Sequence, residues 1–226
     1  MSDFPDRANA DASTADASTK ARLRTDILSR RRKLTAAQVA AANERIRIAL
    51  RHLVGRTAPG QVAGYAPVGT EPGGGDLPQR LADMVGGGHR VLLPVLLPDG
   101  DLDWARLDET ADVPGDGAPA GLSRSPAGLW EPTGRRLGTD AIASADLVVV
   151  PALAVDVDGV RLGRGGGSYD RALARIRDDV PVVALVHDGE VLGRLPAEAH
   201  DRPVSAVVTP AGLRWLAGAA GGRPAE

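Results

Sequence analysis

Chemistry-bearing residues concentrate in the stretch Arg161-Leu162-Gly163-Arg164-Gly165-Gly166-Gly167-Ser168-Tyr169-Asp170-Arg171. Glycines let backbone N–H groups close on a bulky anion, and a helix starting behind them would add partial positive charge. Arg161 and Arg164 can donate charge-assisted hydrogen bonds to phosphate oxygens. Asp170 is a poor phosphate contact alone, but it suits a metal ion that bridges such phosphates. The pattern predicts a phosphate-binding loop between a buried strand and a helix.

The rival explanation is a plain flexible turn. Gly73–Gly75 and Gly86–Gly88 are glycine runs of that kind, and neither has arginines on both sides. Nor does the loop follow better-known patterns. No Gly-Lys-Ser/Thr follows at Walker A spacing, and Ser168 stands where a dinucleotide-binding loop needs its third glycine. A nicotinamide or flavin enzyme is therefore disfavoured.

The elements around the loop follow from hydrophobic spacing. Asp146–Leu153 reads as a fully buried strand and Tyr169–Arg177 as a helix with Leu173 and Ile176 inward. Upstream, Leu23, Ile27 and Leu34 mark a basic helix, and Thr35-Ala36-Ala37-Gln38 fits a capping box opening a second, with Val39, Ile46 and Leu50 inward. Gln61–Tyr65, Arg90–Leu93, Leu102–Arg106, Val182–Val186 and Ala206–Val208 read as strands. Leu77–Val85 reads as a helix closed by Gly86, and Asp108–Gly128 as a Pro/Gly-rich surface loop. Pro210 is expected to open a last helix carrying Leu213 and Leu216. Strands interleaved with helices predict a mainly parallel sheet covered on both faces, without internal repeats.

Bulk properties bound the functions. With 226 residues, 43% apolar and 25% charged, the chain suits one folded domain, expected over residues 19–217. Residues 1–18 have little to bury and are expected to form a disordered tail, and 218–226 a frayed one. The net charge of −2 gives no electrostatic reason to expect nucleic acid or a membrane as partner. Without cysteine, disulfides, thiolate metal sites and cysteine nucleophiles are excluded. No secretory signal or membrane span is evident, which points to the cytoplasm.

The strand, loop and helix together resemble the signature of the 5-formyltetrahydrofolate cyclo-ligase (5,10-methenyltetrahydrofolate synthetase) family. Asp146-Leu-Val-Val-Val-Pro151-Ala-Leu153-Ala-Val-Asp156, then Gly159, then Arg161–Arg171, is similar to D-L-x-x-x-P-x-L-x-F-D, a spacer, and R-L-G-x-G-x-G-[YF]-Y-D-R. The family's K-x-x-L-R stands at Lys20–Arg24, its acidic residue at Glu71 and its Glu-Pro element in Leu129-Trp-Glu131-Pro132. His200-Asp201 and Val208-Thr209-Pro210 match its C-terminal segment.

The resemblance implies a single-domain three-layer α/β/α fold of the NagB/RpiA/CoA-transferase-like kind. It also implies ATP- and Mg²⁺-dependent closure of 5-formyltetrahydrofolate to 5,10-methenyltetrahydrofolate with release of ADP and phosphate, by a monomer or weak dimer. In such a route the formyl oxygen attacks the γ-phosphate and N10 then closes the ring, so no covalent enzyme nucleophile is needed.

By resemblance, Lys20, Arg24 and the run Arg161–Tyr169 bind ATP, and Arg164 and Asp170 carry catalysis. Glu71, Ser168 and Tyr169 contact the folate, and Asp170 and Asp201 hold Mg²⁺. Lys20 and Arg24 also fit a solvated basic face, as most of Arg30–Lys33 does, and Glu71 beside Pro72 fits plain surface. Trp130, Glu131 and His200 are weaker candidates, since a Glu-Pro pair also fits a turn and a lone histidine is more often structural. His52 and His89 receive no role.

Two positions depart from the family pattern: Ser168 stands for Tyr or Phe, and Val155 for Phe. The lost ring at 168 predicts weaker folate affinity with catalysis retained, unless Tyr65 or Trp130 compensates. A non-catalytic folate- or nucleotide-binding relative, and a ligase or kinase for another small formyl or carboxyl substrate, are the competing functions.

Overall fold

In Leu147-Val-Val-Val-Pro151 alternate side chains enter different apolar cores: Leu147 and Val149 join one, Val148 and Val150 the other. Strand side chains alternate with period two, so a strand covered on both faces needs apolar residues throughout. The computed structural model describes residues 6–108, 119–197 and 201–217. Its helices are α1 (Asp6–Arg32), α2 (Ala36–Thr57), α3 (Leu77–Val85) and α4 (Ser168–Leu173). The first six strands are β1 (Val62–Ala63), β2 (Val91–Leu96), β3 (Leu102–Arg106), β4 (Leu122–Arg124), β5 (Trp130–Pro132) and β6 (Leu147–Pro151). The last six are β7 (Ala154–Asp156), β8 (Arg161–Leu162), β9 (Val182–Leu185), β10 (Val191–Leu192), β11 (Ala206–Thr209) and β12 (Gly212–Trp215).

Seven strands form the main sheet in the order β12-β11-β9-β6-β1-β2-β3. Neighbours from β11 to β2 are parallel, and the two outer strands β12 and β3 are antiparallel. Helix α2 covers one face with Ile46, Leu50, Leu53 and Val54, beside Leu77 and Leu81 of α3. Leu173 of α4, Ile176, and Ile142 from a short 3-10 turn cover the other. This is the three-layer α/β/α arrangement expected. From β1 the chain builds outward through β2 to β3; after β6 it builds the other way. Strand order therefore reverses between β1 and β6, and ligands of open α/β sheets bind beyond the carboxyl ends of the strands at such a point.

Local signals held where a specific side chain carried them. The capping box is present: Thr35 Oγ1 accepts the Gln38 N–H and Gln38 Oε1 accepts the Thr35 N–H. Helix α3 ends on Gly86 in the left-handed region, as its glycine run predicts.

Other expectations are corrected. The last helix is a strand: β12 pairs antiparallel with β11, Leu213 opposite Val208, around a turn at Pro210-Ala211. The three-residue spacing of Leu213 and Leu216 imitates a helix, yet Leu213 packs on one core and Leu216 on the other. Helix α1 begins at Asp6, so the tail expected over 1–18 is helical from there. Ala is the strongest helix former, and Ala8, Ala10, Ala12, Ala15 and Ala17 carry the helix outward from its packed end. Asp16 to Thr19 are exposed, in keeping with the absence of anything to bury. Helix α4 stops at Leu173 rather than Arg177, and β4 lies inside the segment expected as loop; residues 109–118 of that segment and the tail 218–226 lie outside the described residues.

The start of β3 is tied to the chain after α4 by one ion pair. Asp101 accepts from Arg175 Nη2 at 2.6 Å and Nη1 at 3.0 Å, and from the Leu102 N–H at 2.8 Å. The Arg175 hydrogen bonds hold the Asp101 carboxyl below the usual carboxylate range, against the opposing effect of burial. A depressed folded pKa stabilises above the unfolded value of about 4 and loses that contribution as pH falls through the folded value. Asp101→Asn is expected to cost about 1 kcal/mol at pH 7, a solvent-screened fraction of a charge-assisted bond. The difference from the parent should shrink progressively as pH falls below the unfolded value of about 4, measured by urea unfolding.

A pocket at the strand switch point

After β6 the chain turns through Ala152 and Leu153 into the β7–β8 hairpin, which joins β10 in a small sheet. Asp156 builds that hairpin. It is 1% exposed, its Oδ1 accepts the N–H groups of Asp158 and Val160, and its Oδ2 accepts that of Leu195. Gly159 closes the turn at φ +91°, where a Cβ would meet the Val204 carbonyl oxygen at 2.5 Å. These two signature residues thus aim the loop, although sequence gave them no role.

In the loop, Gly165 and Gly167 adopt positive φ, which L side chains rarely do. Arg24 of α1 lies against the loop and its Nε donates to the Gly163 carbonyl at 2.9 Å. Helix α4 spans only six residues, and peptide dipoles add along a helix, so its N-terminus contributes less charge than expected. The charged donors beside the loop are therefore the side chains of Arg24, Arg161 and Arg164.

The loop bounds a cavity of about 420 Å³. The carboxyl ends of β1, β2 and β6 bound it as well, through Tyr65, Leu96 and Pro151, so it sits at the switch point. All the sequence-predicted site residues line it: Lys20, Arg24, Glu71, every residue from Arg161 to Asp170, and Asp201. Trp130 and Glu131 line it too, while His200 lies outside the described residues. Pro94 and Leu102 add to an apolar wall that no motif marked, because strand order brings them there, and Leu129 of the Glu-Pro element joins them.

The predicted cations and carboxylates meet in pairs. Arg161, 5% exposed, holds Asp170 Oδ1 at 2.7 Å through Nη2, and its guanidinium lies 5.5 Å from the Tyr169 ring centroid. Arg164 Nη2 lies 2.8 Å from Glu71 Oε1, and Lys20 Nζ lies 3.7 Å from Asp201 Oδ2. Burial first, and the Glu71 charge second, push the Tyr65 and Tyr169 phenols up, so both rings stay neutral at physiological pH. Glu131 Oε1 accepts the Leu96 N–H at 3.1 Å, pinning β5 to β2, and Arg124 stacks on Trp130 at 5.1 Å.

One residue expected on a solvated face is not there. Arg30, Arg32 and Lys33 are exposed as predicted, but Arg31 is buried. Its Nε and Nη2 each meet Glu190 at 2.7 Å, and Nη2 also donates to the Ala152 carbonyl at 2.7 Å. Charge-run reasoning missed it because the helix turns a single one of four adjacent cations inward.

A mainly parallel α/β sheet with an arginine-bearing glycine loop over a pocket at its switch point is an arrangement suited to an anionic small molecule. Comparison with known proteins narrows this class. Residues 16–210 match the 5-formyltetrahydrofolate cyclo-ligase family, and the chain belongs to that family. It is 39% identical over 198 residues to the 5-formyltetrahydrofolate cyclo-ligase of Mycolicibacterium smegmatis, covering 84% of this chain and 93% of the relative. Among solved structures, the 5,10-methenyltetrahydrofolate synthetase of Aquifex aeolicus superposes with a TM-score of 0.67 at 28% identity, over 92% of this chain and 96% of that one. The synthetase of Mycoplasma pneumoniae, with a TM-score of 0.63 and 16% identity over 84% and 98% of the two chains, shares the fold.

Proposed function

We propose that this chain is a ligase that closes 5-formyltetrahydrofolate to 5,10-methenyltetrahydrofolate, with ATP converted to ADP and phosphate. One observation carries the proposal beyond family membership. Residues assigned separately to nucleotide, folate and metal, from segments as distant as Lys20 and Asp201, line a single cavity.

In this reaction the formyl oxygen attacks the γ-phosphorus and ADP leaves. N10 then adds to the activated formyl carbon, loses its proton, and phosphate departs. Arg161, Arg164, Lys20 and Arg24 offer guanidinium and ammonium donors to the phosphates, while the loop lets its backbone approach them closely. Glu71 offers carboxylate oxygens to the donor edge of a pterin. Tyr169 and Trp130, both partly exposed on the cavity, offer aromatic surface to the folate, while Tyr65 beside them is buried. Catalysis in such a site is positioning plus charge stabilisation.

Mg²⁺ fits the donor set only with help. No group of three or more His, Cys, Asp or Glu that could hold a metal occurs among the described residues. Asp170 and Asp201 would hold such an ion with two carboxylates, the remaining oxygen ligands coming from phosphate and water. When bound, Mg²⁺ neutralises phosphate charge as it transfers. No described helix is long and apolar enough to cross a membrane, and we assign the enzyme to the cytoplasm, acting on folate and ATP as a monomer or weak dimer.

Stoichiometry tests the reaction: one ADP should appear per methenyltetrahydrofolate formed, and none without the folate. Ser168→Tyr should lower the KM for the folate about 2- to 10-fold, the span of an aromatic contact worth about 0.5–1.5 kcal/mol, with kcat unchanged. An unchanged KM would mean that Tyr169 and Trp130 already supply the ring contacts.

A further inference from the structure

Arg164 and Glu71 reach the pocket from different strand ends and meet there, with Nη2 at 2.8 Å and Nε at 3.1 Å from Glu71 Oε1. The two partners are not equally fixed. The Glu71 side chain is 13% exposed and its Oε2 accepts the Val68 N–H at 2.9 Å. Its loop is pinned on both sides. His187 Nε2 lies 2.9 Å from the Thr70 carbonyl oxygen, and Tyr65 donates its hydroxyl to the Pro72 carbonyl at 2.6 Å. Arg164, in contrast, is 60% exposed and sits between glycines. When this pair separates, Arg164 is the partner that moves.

We propose that the Arg164–Glu71 pair is an exchange contact that couples binding of the two substrates. Nucleotide phosphates draw Arg164 off Glu71, and the released carboxylate then receives the pterin. The proposal rests on the cyclo-ligase function above and adds to it a dependence of folate affinity on nucleotide. The chemistry favours this direction. A guanidinium on Oε1 occupies the acceptor that a pterin N–H needs, so folate alone must displace a cation. Phosphate oxygens, by contrast, offer Arg164 an anionic partner as good as the one it leaves. Coupling between binding sites is reciprocal, so folate tightens nucleotide by the same factor.

Titration of the full-length protein with 5-formyltetrahydrofolate, with and without Mg²⁺ and a non-hydrolysable ATP analogue, reads the coupling. In the parent protein the folate Kd should fall about 3- to 10-fold when the analogue is present, the scale of a partly exposed ion pair. Arg164→Ala should bind folate without the analogue at least as tightly as the parent does with it, and the analogue should no longer change that Kd. Glu71→Gln should bind the analogue about 3-fold more tightly without folate, a gain that a merely structural contact would not give. A folate Kd indifferent to the analogue in the parent, or an enhancement retained in Arg164→Ala, overturns the coupling alone. A parent protein that binds no folate at all overturns the cyclo-ligase function with it.

Discussion

Arg164→Ala is expected to lower kcat by about a thousandfold or more, and Asp170→Asn by about a hundred- to a thousandfold, with the fold intact in both. A mobile arginine that meets charge developing on a transferring phosphoryl group is worth about 10³–10⁵ in rate, and a single preorganised donor about 10²–10³. Arg164 is the most exposed cation among the site's ion pairs, so its loss should change stability by no more than about 0.5 kcal/mol. Asp170 is bound to Arg161 at 2.7 Å on the first turn of α4. Asn keeps an oxygen for that hydrogen bond while removing the charge a metal ion requires. Single-turnover measurements at saturating ATP and folate, beside urea unfolding of each variant, separate lost catalysis from lost fold. A kcat within tenfold of the parent in Arg164→Ala would remove that residue from the catalytic role.

The second large effect is on stability. Arg31→Ala is expected to cost about 3–5 kcal/mol, because it leaves the Glu190 carboxylate buried without a cation. Glu190 is 5% exposed and also receives the His187 N–H at 2.7 Å, while His187 reaches the Thr70 carbonyl beside Glu71. Arg31 in turn donates to Ala152 on the pocket wall. The pair thus binds α1, which carries Lys20 and Arg24, to the strand ends that hold the rest of the site. For a chain of this length the loss corresponds to a thermal midpoint lower by roughly 6–20 °C. Calorimetry of Arg31→Ala, Glu190→Gln and an Arg31→Met/Glu190→Leu double variant tests it. The double variant should recover much of the loss, since replacing both charges leaves neither uncompensated.

The site was more legible in the sequence than the fold's edges. The loop's residue types carry their own chemistry, and the resemblance at Lys20, Glu71 and Asp201 pointed to distant positions that line the same cavity. What sequence could not provide was pairing. That Arg164 meets Glu71, that Arg161 meets Asp170 and that Arg31 is buried all depend on strand order and on the rotation of α1. The core strands were legible because β6, β9 and β11 are apolar on both faces. β12 was not, because Leu213 and Leu216 fall at a spacing that suits either period and only pairing with β11 decides between them. The β7–β8 hairpin was missed for a related reason: its strands are short, and Asp156 rather than an apolar pattern organises its turn.

Near-ultraviolet absorbance is the most direct test of the proposed function, because 5,10-methenyltetrahydrofolate absorbs there and 5-formyltetrahydrofolate does not. Mixing the parent protein with 5-formyltetrahydrofolate, ATP and Mg²⁺ should produce a steady rise that stops when ATP is left out and is lost in Arg164→Ala. Measurable folate binding with no rise in absorbance would contradict the account and identify the chain as a non-catalytic member of its family.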